Sequence, residues 1–316
     1  MELEQVKGNT WVLKSWELIP FYKLDERRCI LLDTGTLEQR EELEETLRMA
    51  GLEPVGILGS HAHIDHMGSH GYLQKKYGIP VALSLGEAGQ LFSRVGMQQQ
   101  YYNLDMSAYD RFPELGEAPC AADRVIMPGE DRIKFCGVDF DILHTPGHTA
   151  DHICVRTPDN VLYLADAMMT GRTLYRSKFP YAVSMKEYLR SMGKLRTVEA
   201  DRYIVAHKGI YDEILPMVDL EIQFLTERML ELLDLVGEDS TPKELTAKIC
   251  KTYDVHTESV RTLAYFEQSS QAYLNYLHGE GYLDALAEEG RIVYRPTELA
   301  KNRKEKTDLP KTGLFR

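Results

Sequence analysis

Three histidines and one aspartate lie within six positions of the segment SHAHIDH at residues 60–66. The segment follows a short apolar run at 55–58, which predicts a buried strand. Loops at the carboxyl ends of strands are where α/β proteins usually place a functional site. Neutral imidazole and carboxylate groups are both good ligands for zinc and similar divalent ions. A solvated polar loop would account for one histidine, whereas this cluster predicts a metal site.

The cluster matches H-x-H-x-D-H, the signature of the metallo-β-lactamase superfamily, which the chain resembles over roughly residues 10–210. The other motifs of that superfamily follow in their usual order. They are LLDTG at 31–35, TPGHT at 145–149, LYLAD at 162–166 and VAHKG at 205–209. A match to every motif in order makes the resemblance specific.

The resemblance implies both a fold and a set of metal ligands. The fold would be α/β, a four-layer αββα metallo-β-lactamase sandwich. Two divalent metal ions would be bound, in the first instance Zn, with Fe or Mn as alternatives. The first ion would be held by His61, His63 and His148, and the second by Asp65, His66 and His207. Asp166 would bridge the two ions, and Asp33 would support the ligands from behind.

The same resemblance implies hydrolysis by a metal-bridging hydroxide, with Asp65 and Asp166 as the catalytic carboxylates. Asp166 stands where β-lactamases of this fold commonly have a cysteine, so the chain is most similar to the glyoxalase II-like branch. We therefore expect cleavage of a small ester, thioester or lactone. Two alternatives stay open: an RNA-cleaving endonuclease or phosphodiesterase, and a sulfur dioxygenase of the same fold with one iron.

The triplet Asp33-Thr34-Gly35 has a second interpretation, because D-T-G after an apolar strand is also the core of aspartic proteases. Those enzymes need two such aspartates that share a proton. The sequence contains one D-T-G, and seven potential metal ligands lie elsewhere in the chain. This pattern favours the metal-dependent interpretation.

Further side chains have either a functional or a purely structural interpretation. Lys208 follows the last motif histidine and either binds a substrate anion or lies on the surface. The same two interpretations apply to basic and phenolic side chains that follow the bridging aspartate, namely Arg172, Tyr175, Lys178 and Tyr181. His70 and His152 lie close in sequence to motif histidines, and we expect a structural or solvated role for each.

The bulk composition limits the classes of partner. The chain has 316 residues, of which 43% are hydrophobic and 27% charged, and its net charge is −12. This acidity disfavours a nucleic-acid partner, and no apolar run approaches the ~18 residues of a membrane span. The N-terminus lacks a secretory pattern, and five cysteines without a C-x-x-C pair predict a cytoplasmic protein. We expect a small-molecule substrate, which could be anionic.

The elements that must position these residues predict three regions. Alternating strands and helices predict a catalytic domain over 1–212, in which the turn sequence Pro-Asp-Asn at 158–160 predicts a hairpin. Helical patterns at 213–236 and 259–278, a helix start at 240–244 and a hairpin around 289–290 predict a winged-helix-like module over 213–300. This module would shape the pocket or support a homodimer. We expect residues 301–316 to form a basic tail. Residues 86–119 could be helical or form a lid.

Overall fold

The computed structural model describes residues 1–100, 118–207, 209–256 and 259–302, with the side chains of 98–100 and 261 excepted. The chain divides into two compact units. The first comprises Met1–Met168 and Val198–Ile214, and the second comprises Met169–Thr197 and the chain from Leu215 onward. This division differs from the predicted boundary at residue 212 mainly in residues 169–197. Lys208, half of the predicted lid (101–117) and most of the predicted tail lie outside the described residues.

The first unit contains a seven-stranded mixed sheet whose spatial order follows the chain. Its strands are β1 (Glu2–Lys7), β2 (Thr10–Lys14), β3 (Leu18–Lys23), β4 (Arg28–Leu32), β5 (Glu53–Leu58), β6 (Val81–Ser84) and β7 (Arg124–Ile126). Strands β1 to β4 form an antiparallel meander, and β4 to β7 are parallel. The carboxyl ends of β4 and β5 therefore lie side by side, which brings the D-T-G triplet next to the histidine cluster.

A six-stranded sheet forms the other half of the first unit. Its strands are β8 (Arg132–Phe135), β9 (Val138–His144), β10 (Ile153–Arg156), β11 (Val161–Ala165), β12 (Arg202–Val205) and β13 (Gly209–Tyr211), in the spatial order β13-β12-β11-β10-β9-β8. The turn predicted at 158–160 joins β10 to β11 as an antiparallel hairpin, which confirms that prediction. Strands β11 and β12 are parallel, so their carboxyl ends also meet.

The two sheets pack face to face through an apolar core. Val12 and Leu58 of the first sheet share a buried cluster with Phe140, Val155 and Ile204 of the second. Side chains alternate between the faces of a strand, so the neighbouring residues of the first sheet point the other way. They join a second cluster with residues of the helices α1 (Arg40–Met49), α2 (Ile64–Met67), α3 (His70–Tyr77), α4 (Leu85–Leu91) and α5 (Arg94–Gln100).

The second unit is mainly helical. Its helices are α6 (Gly171–Ser177), α7 (Met185–Leu195), α8 (Leu215–Val236), α9 (Pro242–Thr252), α10 (Val260–Gly279) and α11 (Glu298–Lys301), and its hairpin is β14 (Leu283–Glu288) with β15 (Arg291–Pro296). The predicted start of α9 is confirmed by a capping box between Thr241 and Glu244. The order of helices and hairpin matches the prediction, whereas the identification as a winged helix stays a prediction.

Two further features concern membrane-spanning helices and disulfide bonds. Among the described helices, none combines the length and the apolar character that crossing a bilayer requires. None of the five cysteines forms a disulfide.

Candidate metal centre

The loop after β5 presents the first two histidines on one side of the backbone. His63 has an extended conformation, with φ −82° and ψ 146°, and it caps the short helix α2. His61 and His63 are separated by one residue, so their rings converge, and His61 Nε2 lies 3.1 Å from His63 Nδ1. Asp65 and His66 follow on α2 and face a different direction from His63.

One group of potential ligands forms around His63, and we call it the first group: His61, His63, His148 and Asp166. One ligand atom from each lies within 4.8 Å of the others. His148 Nε2 lies 2.9 Å from His63 Nδ1, and Asp166 Oδ2 lies 3.3 Å from His148 Nε2. The three ring nitrogens and one carboxylate oxygen thus lie close enough together to be ligands of one ion such as Zn²⁺.

A second group of potential ligands lies beside the first: Asp65, His66, Asp166 and His207. Their ligand atoms also lie within 4.8 Å of one another. His207 Nε2 is 3.3 Å from Asp65 Oδ2 and 3.4 Å from Asp166 Oδ1. His66 Nε2 is 3.5 Å from Asp166 Oδ2. Asp166 therefore belongs to both groups, and its carboxylate lies between them.

The backbone around Asp166 is held in an unusual conformation. Ala165, at the end of β11, has φ 46°, in the left-handed region that non-glycine residues rarely adopt. The Asp166 N–H donates to His152 Nε2 at 3.3 Å, and His152 Nδ1 bonds to Thr145 Oγ1 at 2.8 Å. His152 is fully buried, so the structural role expected for this histidine is the one observed.

Asp33 orients a ligand of the second group. Its carboxylate accepts hydrogen bonds from Ser60 N at 2.7 Å, Ser60 Oγ at 2.6 Å, Tyr163 Oη at 2.6 Å and His66 Nδ1 at 2.9 Å. Because His66 Nδ1 donates its hydrogen to Asp33, Nε2 is the ring nitrogen that faces Asp166 and that could coordinate a metal ion. Among the described residues, none of these partners of Asp33 is a second carboxylate, which an aspartic protease site would need.

Glu87 supports the loops of the first group. It is fully buried and accepts hydrogen bonds from Ala62 N at 2.7 Å, Thr149 Oγ1 at 2.7 Å and Asp151 N at 3.0 Å. Ala62 lies between two histidines of the first group, and Thr149 follows the third. Burial raises the pKa of Glu87, and these three hydrogen bonds oppose that rise. The sequence did not single out this residue.

The two groups differ in how their surroundings shift the histidine pKa values. In the first group, burial and the neighbouring His148 lower the pKa of His63 to about 3, and burial lowers that of His61 well below its usual value. In the second group, burial also disfavours the charged form of His207. There, the carboxylates of Asp166 and Asp65 outweigh burial and raise its pKa to about 10. In the first group His61 and His63 thus stay neutral, while the second group offers a field that stabilises a cation.

The donor set fits divalent cations. His66 Nε2 is buried and makes no hydrogen bond among the described residues, although it faces two carboxylates. A buried polar atom without a partner is rare and calls for a ligand. Imidazole nitrogens and carboxylate oxygens are the donors that zinc, iron and manganese accept. All seven residues singled out in the sequence are brought together here, while their individual roles stay predictions.

Comparison with known proteins assigns the family. The family profile of the Metallo-beta-lactamase superfamily matches residues 8–207. The chain belongs to the metallo-β-lactamase superfamily. Hydroxyacylglutathione hydrolase GloC of Haemophilus influenzae is 28% identical over 204 residues, covering 60% of this chain and 84% of that protein. With the His/Asp groups of the structure, this membership makes the chain a metal-dependent hydrolase.

Solved structures of the superfamily share the fold. A metallo-beta-lactamase family protein from Thermus thermophilus superposes with a TM-score of 0.66 at 21% identity, covering 88% of this chain and 93% of that one. A beta-lactamase domain protein from Burkholderia ambifaria gives a TM-score of 0.68 at 15% identity, covering 94% of both chains. The likeness therefore extends beyond the residues of the family profile, and the α/β metallo-β-lactamase fold is confirmed.

None of the remaining predicted site residues that the structure describes belongs to either ligand group. His70 is buried and bonds to Thr34 Oγ1 through Nδ1 at 2.9 Å, as a structural histidine would. The basic and phenolic residues after Asp166 lie in the second unit, where Tyr181 donates to Gln268 and stacks on Tyr265. Their predicted contact with substrate stays a prediction, and Lys208 lies outside the described residues.

Proposed function

We propose that the chain hydrolyses a small ester, thioester or lactone with two divalent metal ions, most simply Zn²⁺. The observation that carries the proposal is the position of Asp166, whose carboxylate lies within 3.5 Å of His148, His66 and His207. This carboxylate can therefore hold two cations at once. When bound there, such ions lower the pKa of a water molecule and stabilise charge that develops on a substrate oxygen.

The residues around the ions prepare them for this chemistry. His61, His63 and His148 would hold the first ion, and Asp65, His66 and His207 the second. Asp33 fixes the tautomer of His66 through the hydrogen bond at 2.9 Å. Each group contains both buried and partly exposed side chains: His61, His148 and His66 are buried, whereas His63, Asp65 and His207 are partly exposed. Substrate and water would therefore reach the pair from the side where His63, Asp65 and His207 lie.

The similarity to Hydroxyacylglutathione hydrolase GloC supports an acyl substrate. An acylated glutathione carries its acyl group as a thioester, so a thioester is the first substrate class to examine. Asp166 supports the same choice, because the resemblance to the glyoxalase II-like branch rests on an aspartate at this position. The acidic net charge of −12 supports a small molecule over a nucleic acid.

We further infer that the protein acts in the cytoplasm and that residues 213–300 form a winged-helix-like module. The segment 268–276 of α10 contains neither lysine nor arginine. A helix without these cations is a poor reader of nucleic-acid bases and phosphates. The module would thus shape the pocket or support a homodimer instead of binding DNA.

Turnover of a substrate panel tests this function. Purified chain is analysed for bound metal and assayed on acylated glutathiones, simple esters and lactones, with and without a chelator. We expect thioester turnover that a chelator abolishes and that added Zn²⁺, Mn²⁺ or Fe²⁺ restores. Metal-dependent cleavage of single-stranded RNA without ester turnover would replace the proposal by the nuclease alternative. Oxygen consumption with one iron per chain would replace it by the dioxygenase alternative.

A further inference from the structure

Glu17 is a buried carboxylate that the sequence motifs do not include. It lies in the bend between β2 and β3 and is 1% exposed. Neither of its carboxylate oxygens accepts a hydrogen bond among the described residues. The backbone N–H of Thr36, which lies near the carboxylate, donates instead to Gln39 Oε1 at 3.1 Å. An ionised carboxylate buried without a partner is strongly unfavourable, so such a group either takes up a proton or is stabilised by a nearby positive charge.

The residues on either side of Glu17 contact the segment that follows β12, which carries His207 of the second group. Leu18 N donates to Ala206 O at 2.9 Å, and Ala206 directly precedes His207. The Trp16 ring lies edge-on to the His207 ring, with centroids 5.0 Å apart. These contacts fix Glu17 beside the histidine that completes the second group.

The Glu17 side chain reaches the segment that carries the other histidine of the second group. Its Oε1 lies 2.9 Å from the position that a Cβ would occupy at Gly35. Gly35 forms a β-bridge with Met67, the residue after His66. A larger residue at 35 would thus collide with the carboxylate. The Glu17 carboxylate lies between the chain segments that present His66 and His207.

The electrostatic surroundings of Glu17 agree with this position. Burial raises its pKa to about 7, the charges of His66 and His207 act to lower it, and the charge of Asp65 acts to raise it. All three of these side chains belong to the second group. A cation bound by that group would therefore interact favourably with an ionised Glu17.

We propose that Glu17 is an outer carboxylate of the second group, whose negative charge strengthens the binding of a divalent cation by Asp65, His66 and His207 without coordinating it. The inference rests on the proposed function to the extent that the second group binds a metal ion. Glu87 provides the contrast, because its carboxylate accepts three hydrogen bonds and needs no cation for compensation. Glu17 is thus a determinant of metal affinity at the second group.

Zn²⁺ affinity in two backgrounds tests the proposal. His63→Ala weakens the first group and leaves the second intact, and His207→Ala does the reverse. Zn²⁺ binding to the full chain is measured by competition with a chromophoric chelator, with and without Glu17→Gln. In the His63→Ala background we expect Glu17→Gln to weaken binding by about 10–100-fold, the usual range for outer partners of a metal site. In the His207→Ala background we expect a change below about threefold, because the charged side chains that act on Glu17 belong to the second group.

Thermal unfolding of the chelated protein at pH 8 separates this role from a structural one. Glutamine has nearly the shape of glutamate but carries no charge, so we expect Glu17→Gln to keep or raise the unfolding temperature while it weakens Zn²⁺ binding. Glu87→Gln serves as the matched control and should lower the unfolding temperature, because it disturbs three hydrogen bonds.

Two results would overturn the role of Glu17. One is an equal change in Zn²⁺ affinity in both backgrounds, including no change in either. The other is a lower unfolding temperature of Glu17→Gln in the chelated protein, together with weaker binding in both backgrounds. If the unmodified chain binds no Zn²⁺, Mn²⁺ or Fe²⁺, the assignment of the two metal groups fails, and the proposal for Glu17 fails with it.

Discussion

The two ligand groups differ in the charge of the side chains that they offer to a cation. The first group presents three imidazoles, and burial lowers the pKa of two of them, His61 and His63, the latter to about 3. The second group presents two carboxylates that stabilise positive charge on His207, whose pKa is raised to about 10. The first group would therefore bind a metal ion through available lone pairs, and the second mainly through its negative field. Asp166 is the one residue that serves both.

The buried carboxylates behind each group repeat this difference. Glu87 touches the first group through backbone and hydroxyl donors, none of which is a ligand side chain. Asp33 bonds directly to the ring of His66 in the second group. A change at Glu87 should therefore mainly lower the stability of the protein, and a change at Asp33 should mainly weaken metal binding.

Removing the shared carboxylate of Asp166 should weaken both groups, and we expect the largest loss of activity from this change. Asp166→Ala removes a ligand from both, so we expect kcat/KM to fall by about a thousandfold, since metal stabilisation of developing charge is worth several kcal/mol. Metal content, measured by elemental analysis, should fall below two ions per chain. Asp201→Ala, at an exposed residue that pairs with Lys7, is the control and should retain both ions. Full activity of Asp166→Ala would contradict the shared role.

A change at Asp33 should affect the second group more than the first, because Asp33 bonds directly to His66 but reaches His61 only through Ser60 Oγ, which lies 3.0 Å from His61 Nδ1. Asp33→Asn keeps the shape of the side chain but cannot accept from Ser60, Tyr163 and His66 together. His66 would lose the bond that fixes its tautomer, and we expect Zn²⁺ affinity to fall by about 10–100-fold in the His63→Ala background. The measurement is chelator competition, with the His207→Ala background for comparison. An equal loss in both backgrounds would mean that Asp33 supports the whole centre.

A change at Glu87 should have the smallest effect on metal binding. Glu87→Gln leaves a buried donor facing either the N–H of Ala62, or the hydroxyl of Thr149 and the N–H of Asp151. We expect the free energy of unfolding to drop by about 1–3 kcal/mol, the cost of an unsatisfied buried group. Urea denaturation of the chelated protein measures this drop. Zn²⁺ affinity should change by less than about threefold, and a larger loss would show that the first group also depends on its outer carboxylate.

Local patterns predicted much of the fold. The hairpin around 158–160 and the start of α9 each have a short-range signal, a turn triplet and a capping box, and both are confirmed. Strand β3 carries no such signal, because Pro20 lies inside it and argues against a strand interior. Strand β1 has no buried face that an alternating pattern could reveal. Both are held by pairing with β2, which single-sequence reasoning does not see.

The candidate site divides in the same way. Histidines and aspartates with fixed spacing are visible in the sequence, and all seven converge in the structure. Tyr163, Glu87 and Glu17 were missed, since each looks like an ordinary strand, helix or surface residue until distant segments surround it. Glu87, for example, meets Thr149 across 62 positions of the chain. His152 was considered without a motif to support it, and its contact with Asp166 N depends on the turn at Ala165.

The turn at Ala165 limits which residues can replace this alanine. Ala165 adopts φ 46°, a conformation that is costly for a side chain branched at Cβ and easiest for glycine. The bend it makes at the end of β11 aims the next residue, Asp166, at both ligand groups. Mutational tolerance at position 165 is therefore narrow although the residue carries no chemistry itself. The backbone conformation at Ala165, a residue that is not a metal ligand, therefore limits which substituted sequences could still place Asp166 between the two ligand groups.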